Sequence, residues 1–354
     1  MNQIFNSFDD VYRFKKDWNA IALNSANPML CYDWFKSAFD AFNNEDKLFI
    51  FCVTEGNELV SAAPLYQKNK DGKHGKLYII GNLHIAEPTS LIFKNEAALI
   101  KLFDFITSHQ LALEFNRLPI KFKHIIKSSK NKRTLTHNLI TNGSQFLTNI
   151  TDMHSFESTM SSRRKSDLRR SRKRLNELGD SSYKIWNPST SEIENVLDIA
   201  FKIENSGWKQ RNNSTILSNK HMKQFIMEIF KKFSNGVSTV GLLYSNNAAI
   251  ACNLSFTYAE TLWIIKIGYI EEYKRCSPGT LLTHEMIRYC CENNITNIEF
   301  LGSKERWIEL WRPNERKYMT FLYYPVSYSG LKAIVIDFLE VVRGKIRRTL
   351  KSLG

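Results

Sequence analysis

Residues Ser255 to Trp311 read SFTYAETLWIIKIGYI, then EEYKRCSPGTLLTHEMIRYCCENN, then ITNIEFLGSKERWIELW. The first part gathers Leu262, Trp263, Ile264, Ile265 and Ile267 before Gly268 and Tyr269, a β-rich run. A helix entry follows: Ser277 is a candidate N-cap, Pro278 stands at the first helical position, and Gly279 leaves room for a close approach to the backbone. Leu282, Met286 and Tyr289 recur at helical spacing, and Asn293-Asn294 close the helix. Ile298, Phe300 and Leu301 begin another strand. The unit is therefore strand, basic loop, helix, strand.

Lys274 and Arg275 stand just before that helix, whose unpaired N–H groups and positive dipole end suit an anion, above all a phosphate. A capped surface helix with two solvated cations fits the same residues, and the loop alone does not choose between the two. Cys276 lies in this loop, where neighbouring cations could activate a thiol, although a non-catalytic role is the better reading.

With IENSGWK (Ile203 to Lys209) upstream and FLG (Phe300 to Gly302) and Trp311 downstream, the unit resembles the GNAT-type acyltransferase domain of the CelD/BcsL family, related to the FemAB aminoacyltransferases. The resemblance runs from about Trp18 to Tyr324 and is strongest in the second half. It implies an α/β (α+β) fold of GNAT-like mixed sheets flanked by helices, in two related lobes. It also implies an acetyl-CoA or other acyl-CoA donor, with its pyrophosphate at the helix N-terminus and its pantetheine arm between splayed elements. Lys274, Arg275, Ser277, Pro278, Gly279 and Thr280 would hold those phosphates.

Acyl transfer to an amine needs a base for the acceptor, a polarised donor carbonyl and a placed leaving thiolate. Glu204, between Ile203 and Trp208 in sequence, is the first candidate base, against the plain alternative of an exposed acid near a helix end. Lys266 interrupts the apolar strand WIIKIGY, and Tyr269 beside it offers a hydroxyl to protonate the thiolate. Trp208, Lys209, Asn253, Lys304 and Trp311 are candidates for the acceptor site. Family members commonly carry a Tyr-Lys pair four residues before the tryptophan after the FLG-type strand; here Trp307-Ile308 stand there, and Lys304 is the nearby cation. His284 reads as a solvated helix histidine.

The net charge of +14 favours acidic partners, among them coenzyme A, nucleotide-sugars, tRNA and an anionic membrane face. Much of it sits between Arg163 and Arg174, where eight of twelve residues are basic and Asp167 is the sole acid. Leu168, Leu175 and Leu178 give this stretch a narrow apolar seam, and Gly179 suits a C-cap. CelD-like proteins carry a basic helix here, which implies a place beside the donor or acceptor channel. No DNA- or RNA-binding module accompanies it, so specific nucleic-acid binding is the weaker reading. The six cysteines show no metal-ligand spacing, and no Ser-His-Asp set, P-loop or Rossmann glycine pattern is present.

Strands are expected at Leu48 to Thr54, Glu58 to Tyr66, Leu77 to Ile80, near Leu91 to Phe93 and near Leu111 to Asn116, with a helix at Glu96 to Ser108. The second half repeats that order of elements through helices at Glu192 to Asn205 and Lys220 to Phe233 and strands at Ser238 to Tyr244 and Ile250 to Tyr258. The expected divisions are an N-terminal lobe over 1–150, a basic connector over 151–180, an acyltransferase domain over 181–330 and a basic amphipathic helix over 331–354. That last helix carries Ile334, Phe338, Val341, Val342 and Ile346 along one side, and either packs on the second domain or meets an anionic membrane; the first is preferred. The N-terminus lacks the apolar core of a secretory signal, and no run approaches the roughly 20 apolar residues of a membrane span. A cytoplasmic protein is expected, with peripheral contact at the inner face of the membrane as its variant. The reading is an acyl-CoA-dependent N-acyltransferase acting on an amino group of a sugar or glycan precursor. Its competitors are an aminoacyl-tRNA-dependent transferase and a non-catalytic scaffold that binds a polyanion or a membrane.

Overall fold

The computed structural model describes residues 1–353 apart from 86, 128–133, 207–214 and 303–304. In chain order its main elements are β1 (Asn2–Phe5), α1 (Lys15–Asn24), α2 (Tyr32–Ala38), β2 (Lys47–Glu55), β3 (Glu58–Gln67), β4 (Leu77–Ile79), β5 (Ile92–Phe93), α3 (Glu96–Ser108), β6 (Leu113–Pro119) and β7 (Thr134–Leu147). There follow α4 (Ser162–Asn176), β8 (Ser181–Trp186), α5 (Ile193–Glu204), α6 (Lys220–Lys232), β9 (Ser238–Ser245), β10 (Ala248–Tyr258), β11 (Thr261–Tyr269), α7 (Pro278–Glu292), β12 (Asn297–Leu301), β13 (Asn314–Pro325) and α8 (Tyr328–Leu353). The expected mixed sheets with flanking helices are present.

Two compact units divide the chain: Met1–Ala22, Met29–Thr141 and Lys317–Gly354 in unit 1, and Leu23–Pro28 with Asn142–Arg316 in unit 2. The strands of unit 1 run in the order β1-β2-β3-β4-β6-β13, with β5 on β3; those of unit 2 run β7-β12-β11-β10-β9-β8. In unit 1 the parallel pair is β4 with β6; in unit 2 it is β11 with β12. Each sheet is thus an antiparallel run whose fourth strand crosses through a helix, α3 or α7, to a parallel neighbour. The strand antiparallel to β6 is β13, and the one antiparallel to β12 is β7. Each sheet therefore takes its last strand from the other half of the sequence.

Hairpin turns follow the residues supplied. Asn246 and Asn247, at φ of 49° and 64°, join β9 to β10, as two-residue turns require. Ala259 and Glu260 adopt the same left-handed backbone between β10 and β11 with no residue suited to it, a strained turn. In unit 1 the core gathers Phe51, Leu65, Leu102, Phe115 and Phe321, all fully buried. In unit 2 Leu282, Met286 and Ile287 of α7 lie in one buried cluster with Leu243, Ile250, Leu262 and Ile298 from the sheet.

The chain passes from unit 1 to unit 2 after Thr141, at the edge of the Asn142 to Asp152 stretch where the halves were expected to join, and returns to unit 1 after Arg316. Thr134 to Leu147, to which no element was assigned from the sequence, is a 14-residue strand whose chain passes from unit 1 to unit 2. Residues Lys317 to Gly354 belong to unit 1 and not to a lobe spanning 181–330. Helix α8 accordingly docks on unit 1 rather than on the second domain. Its Asp337 takes a 2.6 Å bond from Lys76 Nζ and a 2.5 Å bond from the Tyr324 hydroxyl, and Lys76 also donates to Glu114 at 2.6 Å. Lys76 is buried, so this ion-paired anchor is costly to break on either side.

Candidate functional site

Of the six residues expected to hold phosphates, Ser277 and Thr280 border a cavity at the N-terminus of α7, whereas Lys274, Arg275, Pro278 and Gly279 are not in its lining. Ser277 occupies the cap position at φ 48° and ψ 52°, left-handed, and its side chain makes no capping bond. Pro278 has no N–H, so the first-turn donors of Gly279 and Thr280 have no partner within the helix. Beside Thr280 lies a cavity of about 320 Å³ bordered by Ser277, Thr280, Leu310 and Trp311, and by Arg164, Asp167, Leu168, Arg170, Ser171 and Arg174 of α4. Leu168 and Leu175 are buried and hold α4 in the unit 2 core, which fixes the cationic face on the cavity; Leu178, the third seam residue, is half exposed.

Three arginines around an uncapped helix start leave positive charge in excess. Asp167 pairs with Arg170. Arg164 is half-buried, and its acidity is raised by burial and by the like charge of Arg312, with Asp167 opposing. Lys274 and Arg275, the expected phosphate ligands, stand outside the cavity lining: Lys274 is exposed with Glu271 at 4.0 Å, and the Arg275 carbonyl accepts from Arg174 Nη1 at 3.1 Å. The 3₁₀ turn Glu271–Cys276 thus positions Arg174 through its backbone. Cys276 is 3% exposed, and burial raises its pKa, so its thiol is not activated.

The parallel pair beside α7 separates after three residue pairs. β11 and β12 pair only from Thr261 to Trp263 against Asn297 to Glu299, and β11 runs on to Tyr269. Ile265 is skipped in the register with β10, a bulge that bends β11 at the point of separation. Beyond it side chains alternate across the sheet. Tyr269 faces α7, its ring within 3.7 Å of the place a Cβ on Gly279 would occupy. Gly268 and Lys266 point to the α5 side.

On that side Gly268 meets the backbone of α5 so closely that a Cβ would lie 2.7 Å from the Cα of Glu204. Glu204 ends α5, is 4% exposed, and accepts the Ile216 N–H at 2.9 Å. It is a buried, held carboxylate and not the exposed acid of the plain alternative. Lys266 is half-buried on the same face, so Glu204 and Lys266 lie on one side of β11 and Tyr269 on the other.

Asn253 is 1% exposed within β10, with its Oδ1 accepting from Ser255, and borders neither this cavity nor the one beside it. Trp311 is 4% exposed and borders both this cavity and a second of about 320 Å³ lined by Asp152, Phe156 and Arg312. Trp208, Lys209 and Lys304 lie outside the described residues. His284 is 1% exposed and not solvated. Its Nδ1 is 3.0 Å from Arg172, its Nε2 is 3.1 Å from a Glu157 oxygen but off the line of a straight hydrogen bond, and its ring is 6.3 Å from that of Trp311. Burial alone would raise the pKa of Glu285, yet His284, Arg288 and Arg172 hold it down at about 2. This network fixes α4 to α7 and backs Trp311 at the cavity wall. Sequence reasoning did not single out Arg164, Arg170 and Arg174 individually; their signal was the basic run itself.

Residues 161–308 match the acetyltransferase (GNAT) domain family. That span holds α4, Glu204, the parallel pair and the start of α7, and the protein is an acyltransferase with a GNAT-type domain. No curated protein matches the chain in sequence. Among solved structures, FemX is similar with a TM-score of 0.60 at 10% identity, covering 92% of this chain and 97% of its own. The C-terminal domain of a putative lysylphosphatidylglycerol synthetase from Agrobacterium fabrum gives 0.57 at 9% identity, over 94% and 96%. The L-PGS of Bacillus licheniformis gives 0.50 at 11% identity, over 92% and 95%. At these identities the likeness is one of fold.

Proposed function

We propose that the protein transfers an acyl group from acyl-CoA to an amino group, with the donor's phosphates in the cavity between α4 and the start of α7. The observation that carries this is the uncapped left-handed turn at Ser277, faced by Arg164, Arg170 and Arg174 around a cavity of about 320 Å³. A pyrophosphate there takes the Gly279 and Thr280 N–H groups and charge-assisted bonds from the arginines. Glu204 removes a proton from the acceptor amine as the C–N bond forms. The thioester C–S bond then breaks, and the Tyr269 hydroxyl returns a proton to the leaving thiolate. The CelD/BcsL resemblance supports a sugar or glycan-precursor amine as the acceptor.

Isothermal titration with acetyl-CoA and longer acyl-CoAs tests the donor. Micromolar binding that Arg174→Glu weakens by about tenfold or more is the expected result. No binding to any acyl-CoA would overturn the proposal.

One feature favours a second reading, aminoacyl transfer from aminoacyl-tRNA. Arg163, Arg169 and Lys173 of α4 are exposed, continuing the cationic surface beyond the cavity, and the fold is shared with FemX. RNA retained through purification, and affinity that falls steeply with salt, would support that donor instead.

A further inference from the structure

Helix α8 presents its apolar side to solvent. Ala333 is 3% exposed and Asp337 is held by Lys76 and Tyr324, so this flank of the helix is the one that docks on unit 1. Leu331, Val335, Phe338, Leu339 and Ile346 fall on one side of the helix, within about 100° of arc, and are 63%, 49%, 66%, 45% and 53% exposed. At about 100° per residue that stripe lies roughly half a turn around the helix from Ala333 and Asp337. A helix packed only for water carries its stripe inward, and α8 does the reverse.

Charge identifies what covers the stripe. From Tyr328 to Leu353 the sequence has six cations (Lys332, Arg343, Lys345, Arg347, Arg348 and Lys351) and two acids (Asp337 and Glu340). Asp337 is already paired with Lys76, and Arg343 is exposed. Two copies placed stripe to stripe would oppose like charges, whereas an anionic lipid surface offers phosphates to the cations and acyl chains to the stripe. Among the described residues no helix is long and apolar enough to cross a membrane, so the mode is one of lying on the surface.

We propose that α8 docks the protein on an anionic bilayer, with the Leu331–Ile346 stripe in the headgroup–acyl boundary. Flotation of the full chain with phosphatidylcholine vesicles, and with the same vesicles containing phosphatidylglycerol, tests it. Native protein is expected to float with the anionic vesicles only, and less so at raised salt. The double variant Val335→Glu/Phe338→Glu should lose about tenfold or more in partitioning, and Arg343→Ala about fivefold. Both glutamates replace exposed residues, so an unchanged melting curve accompanies the loss. Failure of the native chain to float, or flotation of the double variant equal to native, overturns the proposal. So does loss of flotation in Arg170→Glu/Arg174→Glu while the α8 variant still binds, which would move the contact to α4. Concentration-dependent dimerisation abolished by the double variant, without vesicle binding, would show a second copy on the stripe and equally refute it.

Discussion

Replacing Gly268 by alanine probes the contact that sets the candidate base. The new methyl carbon would sit 2.7 Å from the Cα, 3.1 Å from the Cβ and 3.1 Å from the backbone nitrogen of Glu204. Carbon atoms pack without strain at about 3.5–4.0 Å, so the last turn of α5 must retreat from β11 by roughly 1 Å. These are backbone and near-backbone atoms, and no flexible side-chain end can swing aside. Overpacking of this kind costs about 1–3 kcal/mol, a fall in Tm of roughly 3–10 °C. A displacement of about 1 Å at a catalytic group costs up to about a hundredfold in rate. The assay is a thermal melt beside steady-state thiol release from acetyl-CoA with an amine acceptor. The expected outcome is a lowered Tm and a kcat reduced by about tenfold to a hundredfold, with donor KM nearly unchanged. Unaltered Tm and kcat would refute the packing argument, and a lowered Tm with native kcat would refute Glu204 as the base.

The same assays carry two more expectations. Gly279→Ala meets only Tyr269, at 3.7 Å, and replaces a helical glycine, so Tm should hold or rise by a degree or two while acyl-CoA affinity falls several-fold, read by titration. Glu285 has a depressed folded-state pKa, so its contribution to stability is present above the ordinary value of 4.5 and is lost as pH falls towards about 2. Glu285→Gln should therefore be less stable than native at pH 7, with the difference narrowing between about pH 4.5 and 2 in denaturant melts.

Strongly patterned elements were legible in the sequence, and elements that lack a pattern were not. Helix α3 was placed from Glu96 to Ser108, and the structure shows it there with Asn95 as its cap and Ala98, Leu99, Leu102, Phe103 and Ile106 buried at helical spacing. β7 was missed because THNLITNGSQ mixes polar residues on both faces, and its place in the unit 2 sheet comes from β12, more than a hundred residues further on. His284 was misplaced because α7 buries Leu281, Leu282, Thr283, His284, Met286 and Ile287, so its open side is narrowed to Glu285, Arg288 and Glu292 and His284 falls outside it. Of the residues around the cavity at the start of α7, Ser277 and Thr280 were named from the sequence and the arginines of α4 were not. A basic run and a helix start with Pro278 and Gly279 are plain in the sequence, whereas their convergence depends on how Leu168 and Leu175 seat α4. For α8 the apolar seam was legible and its direction was not.

The origin of β13 sets a timetable for the growing chain. Pro119 of β6 waits for Tyr318 of β13, 199 residues later. At about 5–20 residues per second, the ribosome takes roughly 10–40 s to supply that partner. Throughout that interval β6 offers bare N–H and C=O groups on one edge, the kind of template that recruits stray strands. In unit 2 the wait is shorter, since Leu147 of β7 meets Ile298 of β12 after 151 residues. The half of the protein that is translated first is therefore the last to close its sheet.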